Sequence, residues 1–367
     1  MARGVTPREL REAVLASGLL GRDDLPSPPV VTMVSGGRDS VCLLDVAAAV
    51  RGAGGVRALH VNYGLRGEAS DADERLCAEL CAQLGVELRI VRVDAPERAR
   101  GGERGSNLQA WARELRYGAA ARLADELGGG VDTENGTGTG TRTCAGTDGG
   151  AGVDMGAPSI ATGHTASDQL ETILYRLAAS PGRRALLGMA PREGRIVRPL
   201  LGVTREQTTA YCRERGLRWR DDESNEDERF ARARVRHVLV PALLQVHPAA
   251  RENVLRTAWL LREETELLEG LVDAELAAAA AAAVAGRGGS IAVARLAELH
   301  PALARLVVVR LAEEAAGEYV PQAGARVGEI LALAARAAGG PAELHVGGSV
   351  GARISGGQLC MVKLPPR

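Results

Sequence analysis

Six consecutive residues, Ser35-Gly36-Gly37-Arg38-Asp39-Ser40, follow directly on the apolar run Val30–Val34 and open a helical pattern that continues from Val41 to Val50. Glycine tolerates positive φ and lets the backbone approach an anion closely. A helix N-terminus adds unpaired N–H groups and the positive end of a dipole. Ser35 and Ser40 contribute hydroxyl donors. Together these make a cradle for a phosphate or pyrophosphate, set against the plainer reading of a glycine-rich strand–helix turn. It is not a Walker loop, which needs a lysine: Lys363 is the only lysine, beside 44 arginines. Asp39, a carboxylate next to bound phosphates, is most simply a magnesium ligand.

A second constellation lies at Gly163-His164-Thr165-Ala166-Ser167-Asp168-Gln169-Leu170-Glu171. Asp168 and Glu171 are three apart, hence on one face of a helix. A random pair so spaced is usually a solvated acidic face. This pair follows the C-terminal end of a strand, where open α/β sheets bind ligands. His60 and His164 both fall at such strand ends and read as site-lining residues, not as catalytic bases.

The elements that must position these groups alternate. Strands are predicted at 30–34, 56–61, 87–93 and 159–162, and helices at 41–50, 70–84, 108–127 and 166–178. That order argues a Rossmann-like parallel sheet with helices on both faces. An amphipathic helix is predicted within 1–24, and a further αβ unit with a helix from Thr204 to Arg215, stopped by Gly216. Residues 128–158, rich in Gly, Thr and Asp, read as a disordered insert. A boundary is placed near Pro241, giving an α/β domain over 1–240 and a smaller, mainly helical domain over 241–367. The latter has helical patterns at 253–285, 292–316 and 324–338, and a short terminal β-hairpin around Gly347-Gly348 and Gly356-Gly357.

The 367 residues are 46% hydrophobic and 25% charged, ordinary for a soluble protein, with a net charge of −1. No apolar stretch is long enough for a membrane span, and the charged N-terminus does not read as a signal peptide. Six dispersed cysteines without a CxxC pair suggest reduced thiols and a cytoplasmic setting. With so small a net charge, a nucleic-acid site must be a local patch. Residues 183–236 supply one, holding 14 Arg against nine acidic residues, and guanidinium forks fit phosphates bidentately. Arg113 and Arg116, on one helix face, extend it. The competing reading is a solvated surface laced with ion pairs. Aromatics are only 2% of the chain, so base stacking has few candidates, Tyr63 and Tyr117 among them.

The SGGRDS segment resembles the PP-loop family, the N-type ATP pyrophosphatases. Further segments narrow the resemblance: His60-Val61-Asn62-Tyr63-Gly64-Leu65-Arg66 with Ser70, Asp71 and Asp73; Ser106-Asn107-Leu108-Gln109; Arg113-Glu114-Leu115-Arg116-Tyr117; the 163–172 segment; Arg198-Pro199-Leu200-Leu201; Asp221-Asp222-Glu223-Ser224-Asn225; and Arg232-Ala233-Arg234-Val235-Arg236-His237. In this order, over about residues 28–245, they look like the tRNA(Ile)-lysidine synthetase family.

That resemblance implies ATP-dependent joining of free L-lysine to C2 of the wobble cytidine in a CAU-anticodon tRNA(Ile), through an adenylated tRNA. By matching position, it assigns Ser35, Gly36, Gly37, Arg38, Asp39 and Ser40 to the ATP phosphates, with His60 and His164 beside the nucleotide. Asp39, Asp168 and Glu171 become the catalytic acids, and Asp39 and Asp168 the magnesium ligands. The arginine-rich patch, not the motif match, supplies Arg113, Arg116, Arg198, Arg205, Arg232, Arg234 and Arg236 as the candidate tRNA contacts; a homodimer stays open. Two positions depart from the family's pattern: Tyr63 stands where His is common, and Ser167 where Asp is common. Cytosine C2 bears an oxygen, a poor leaving group, which adenylation would activate, and carboxylates can bind an ammonium and then help take its proton. The alternatives are a tRNA 2-thiolation enzyme of the same superfamily, a glutamine-dependent ligase and an inactive RNA-binding relative. The first in its thiol-dependent form needs clustered cysteines, the second a glutaminase, and the third no intact motif.

Overall fold

Val30–Met33 (β1) is buried along its whole length and forms the middle of a six-stranded sheet. The computed structural model describes residues 6–21, 28–93, 106–128, 157–180, 182–220, 231–282, 289–336 and 340–365. β1 pairs in parallel with β2 (Val56–Asn62) on one side and with β4 (Ile160–Ala161) on the other. β3 (Glu87–Arg92) pairs in parallel with β2, and β6 (Ile196–Val197) with β4. The outermost strand, β5 (Arg192–Glu193), runs antiparallel to β6. The order is β3-β2-β1-β4-β6-β5. The expected parallel sheet is present and gains one antiparallel edge strand, where the turn at Gly194 (φ 57°) folds two short strands into a hairpin too brief to show a period.

Winding proceeds outward from β1 through α2 (Arg38–Arg51) to β2, and through α3 (Glu68–Leu84) to β3. The chain then returns by way of α4 (Ser106–Leu127) to β4, on the far side of β1. The carboxyl ends of β1 and β4 thus flank a topological switch point, the usual place for a ligand crevice in such sheets.

Helices cover both faces because side chains along β1 alternate. Val30 and Val34 join Val41 and Leu44 of α2, Cys77 and Leu80 of α3, and Leu10 and Val14 of α1 (Pro7–Ala16). Val31 and Met33 pack with Leu59 and Ile160 against Ala119, Ala120, Leu123 and Ala124 of α4. Capping boxes start α1 (Thr6 with Glu9), α5 (Ala166–Ala179; Thr165 with Asp168) and, after the one-turn α6 (Arg183–Leu186), α7 (Arg205–Glu214; Thr204 with Gln207). Gly216, φ 66°, follows the end of α7, as its position in the sequence suggests.

Beyond the described gap at 221–230 come α8 (Ala231–Arg234), a π-helical turn at Val235–Leu239, and α9 (Val240–Val246). The long helix α10 (Ala250–Ala282) contains the point at which the chain divides into two units, between Trp259 and Leu260. The sequence reading set its boundary near Pro241, where the helix-breaking proline is instead taken into the first turn of α9.

In the second unit, β7 (Ser290–Ala292) and α11 (Val293–Glu298) precede α12 (Pro301–Ala316), a 3₁₀ segment Pro321–Arg326 and α13 (Val327–Arg336). The expected terminal hairpin is larger than that. β8 (Ala342–Gly347), β9 (Val350–Ser355) and β10 (Gln358–Lys363) form a meander, and β7 adds to β10, giving a four-stranded antiparallel sheet. The helix expected over 292–316 divides at Leu299-His300-Pro301, where His300 caps α12. Most of the 128–158 insert and all of Asp221–Asn225 lie outside the described residues. No helix among those residues is long and apolar enough to cross a membrane.

Candidate active site

The glycine loop is held by its own serines. Ser35 Oγ lies 3.2 Å from Ser40 Oγ, the Ser35 N–H donates to Ser40 Oγ at 3.1 Å, and Ser40 Oγ donates to the Gly37 carbonyl at 2.8 Å. Gly36 has φ 84°, a conformation that a side chain would strain. The loop turns straight into α2, whose first N–H groups have no side-chain cap. These are donors of the kind an anion takes at a helix N-terminus.

Gly163, after β4, packs on this loop. A Cβ there would lie 3.0 Å from the Asp39 carbonyl oxygen and 3.1 Å from the Ser40 nitrogen. That closeness brings the first turn of α5 beside the first turn of α2, and with it Asp168 beside Asp39. The acid pair thereby joins the phosphate cradle.

Asp168 is the reciprocal residue of the α5 capping box: its Oδ2 accepts from the Thr165 N–H at 2.9 Å and from Thr165 Oγ1 at 2.8 Å. Its Oδ1 accepts from Arg205 Nη2 at 3.0 Å. Burial pushes its carboxyl toward neutrality, but Arg205 and the Thr165 bonds outweigh that, and it stays below the usual carboxylate range. Glu171, with 3% of its side chain exposed, meets Arg205 Nη1 at 3.5 Å and is gripped by Arg236 through Nε at 2.7 Å and Nη2 at 2.9 Å. Its bond to Glu171 raises the Arg236 guanidinium above its ordinary range, against the effect of burial. Arg205 Nε also stands 3.8 Å from Asp39 Oδ2. Asp39 Oδ1 accepts from Thr208 Oγ1 and, at 3.3 Å, from Arg38 Nε.

All three predicted acids therefore converge on one guanidinium, that of Arg205. The sequence reading gave Arg205 and Arg236 to tRNA phosphates; the structure turns both toward carboxylates, because buried anions need paired cations. Arg232 and Arg234 are exposed on α8, with Arg232 Nη2 donating to Thr172 Oγ1 at 3.0 Å. Arg198, also read as a tRNA contact, is 2% exposed and donates to the Ala190 carbonyl and to Glu193, within the β5–β6 hairpin. On α4, Arg113 is exposed with its guanidinium 4.7 Å from the Tyr117 ring centroid, and Arg116 stands 5.7 Å from the same ring.

The two histidines part company. His60 is buried, its Nδ1 2.9 Å from the Val34 carbonyl and 3.5 Å from Cys77 Sγ, so it braces β2 against the end of β1. His164 is half-buried with Nδ1 2.8 Å from Thr162 Oγ1. Burial, with help from Arg198, Arg232 and Arg113 against the pull of Asp168, lowers its pKa to about 4. It is a neutral imidazole at pH 7.

The two departures from the family's pattern have local explanations. Tyr63 donates through its hydroxyl to the Ala112 carbonyl at 2.8 Å and tilts against Trp111, ring centroids 5.9 Å apart, so it anchors α4. Ser167 Oγ accepts from the Arg205 N–H at 3.2 Å and so caps the helix that carries the shared guanidinium. Gly163 stood in the sequence motif without a role of its own. Thr208, which donates to Asp39, and Arg220, whose N–H donates to the Gly36 carbonyl, were not singled out, since both reach the loop through tertiary packing.

Asp39 and Asp168 come from different elements and both face the Arg205 guanidinium; among the described residues no three His, Cys, Asp or Glu gather as a metal site, so a hard divalent ion here would need substrate phosphates beside these two carboxylates.

A family model described as the PP-loop domain matches residues 18–131 and 152–243. A protein of Dehalococcoides mccartyi named tRNA(Ile)-lysidine synthase is 32% identical over 302 residues, covering 78% of this chain and 57% of that protein. Proteins of the same name from Symbiobacterium thermophilum and Thermus thermophilus are each 36% identical, over 271 and 252 residues. Those matches cover 71% and 68% of this chain, and 48% and 43% of the relatives. The chain spans about half the length of the curated relatives it matches.

Proposed function

The chain belongs to the PP-loop family, and from that premise we propose that it uses ATP to join free L-lysine to C2 of the wobble cytidine in CAU-anticodon tRNA(Ile). The products are lysidine, AMP and pyrophosphate. The observation that supports this reading is the packing of Gly163 on the Asp39 backbone, which brings Asp168 and Glu171 beside the Ser35–Ser40 loop; we read the pair as the amine site and the loop as the phosphate cradle. The names of the relatives support the same reading.

The first step is adenylation. Ser35 to Ser40 hold the ATP phosphates through backbone N–H groups and hydroxyls, and the cytidine O2 attacks the α-phosphorus as pyrophosphate leaves. Asp39 and Asp168 would hold magnesium, which when bound offsets phosphate charge. In the second step the lysine amine attacks C2 and AMP departs with the oxygen. Glu171 and Asp168 bind the ammonium and then help remove its proton. His164, neutral at working pH, lines the site as a hydrogen-bonding group without adding charge. Arg113, Arg116, Arg232 and Arg234 hold tRNA phosphates. Of the five described cysteines, four are buried, which speaks against a thiol-dependent transfer.

Incubation with ATP, radiolabelled lysine and a CAU-anticodon tRNA transcript tests this. Label should enter tRNA with one AMP released per lysine. Release of AMP with no lysine incorporated would exclude lysine as the nucleophile.

A further inference from the structure

The phosphate loop lacks a lysine, and its own cation, Arg38, is engaged by Asp39 at 3.3 Å. Two other guanidinium groups reach the loop from outside it, through Asp73 of α3. This carboxylate is 7% exposed, and the Asp73 Cβ lies 3.5 Å from where a Cβ on Gly36 would stand. Its Oδ2 accepts from Arg66 Nη2 at 2.5 Å, and its Oδ1 meets Arg220 Nε at 2.7 Å. Arg220 is also tied to the loop by its backbone, whose N–H donates to the Gly36 carbonyl at 3.0 Å. One buried carboxylate thus holds two guanidinium groups beside the glycines.

We propose that Arg66 and Arg220, positioned by Asp73, grip the pyrophosphate half of ATP and supply the charge that a lysine gives a Walker loop. This rests on the reading of residues 35–40 as the ATP-phosphate cradle. Both side chains are partly open to solvent, Arg66 by 35% and Arg220 by 47%, so an arriving anion can meet them. A guanidinium carries five N–H donors in a planar fork whose geometry matches phosphate oxygens. When the cytidine oxygen bonds to the α-phosphorus, the bond from that phosphorus to the pyrophosphate oxygen breaks and its electron pair leaves with the pyrophosphate. Cations fixed at that end favour the departure because negative charge grows there.

The test is calorimetric titration of inorganic pyrophosphate into the full chain, without tRNA or lysine. Arg66→Gln and Arg220→Gln should each weaken binding by roughly 10-fold or more, the usual weight of a charge-assisted bond. Arg220→Lys should recover part of the loss, and tRNA affinity should hold. Unchanged pyrophosphate affinity in both glutamine variants, with wild-type melting temperatures, overturns the proposal. So does a larger loss of tRNA affinity than of pyrophosphate affinity, which would make these residues RNA contacts. If the variants lose pyrophosphate as expected while wild type transfers no lysine, this inference stands and the lysine reading falls. If wild type fails to bind pyrophosphate, the cradle itself is wrong.

Discussion

Arg236 and Glu171 face each other as a fork on a fork, the two nitrogens of one donating to the two oxygens of the other at 2.7 and 2.9 Å. The acid sits on α5 and the arginine on the π-helical turn Val235–Leu239, a distortion that often marks functional sites. The carboxylate that would receive an amine is thus already engaged, and an incoming ammonium has to share or displace its partner.

Arg236→Ala should lower stability by about 1–3 kcal/mol. Breaking a buried pair costs more, about 3–5 kcal/mol, but Arg205 at 3.5 Å still offsets part of the Glu171 charge. Arg234→Ala, at an exposed position, should change stability by less than about 0.5 kcal/mol while weakening tRNA binding. Denaturant midpoints of the two variants separate these roles. Equal midpoints would mean that Arg236 does not hold Glu171 in solution.

Glu171→Gln should impair lysine use more than ATP use. The change keeps shape and removes the charge facing an ammonium, worth roughly 10- to 150-fold in apparent lysine affinity. Adenylated tRNA should accumulate, whereas Asp39→Ala should abolish adenylation with tRNA binding nearly intact. Single-turnover assays with labelled ATP and labelled lysine read both steps. A Glu171→Gln block of adenylation as complete as that of Asp39→Ala would move Glu171 to the nucleotide.

Gly163→Ala should raise the KM for ATP several-fold with little effect on tRNA affinity. The added methyl meets backbone atoms of Asp39 and Ser40 at 3.0–3.1 Å, so the phosphate loop itself must shift. Overpacking of this kind costs about 1–3 kcal/mol. An unchanged KM would show that the two loops separate freely.

Stability should fall as pH drops from 6.5 toward 4, and His164→Gln should remove part of that slope. The His164 pKa is lowered from 6.5 to about 4 in the folded chain, so over this window the unfolded state binds the extra proton. At about 1.4 kcal/mol per pKa unit the effect is at most about 3 kcal/mol. Denaturant titrations at pH 4.5 and 7 in wild type and variant check it, and parallel slopes would assign the acid sensitivity to other groups.

The frame of the first unit was legible because each element is announced locally. Val30–Val34 is apolar without interruption, Ser35-Gly36-Gly37 breaks it, and Thr165 with Asp168 writes a helix start. The β5–β6 hairpin was not legible, since two residues per strand carry no period. Asp39, Asp168 and Glu171 were singled out from motif and placement, but the arginines they meet were not. Arg205 and Arg236 lie 34 and 65 residues beyond Glu171, and an arginine-rich stretch in sequence looks the same whether its charges meet phosphates or carboxylates. Asp168 is the reciprocal acid of that helix start and also meets Arg205, and only the first of these could be read locally.

β4 is only two residues long, yet it is hydrogen-bonded on one side to β1, the strand that launches the phosphate loop. The glycine loop after β1 and the turn at Gly163 after β4 therefore leave from neighbouring strands of one ladder. The spacing of those two turns is thus set by main-chain hydrogen bonds between the strands and not by side chains alone.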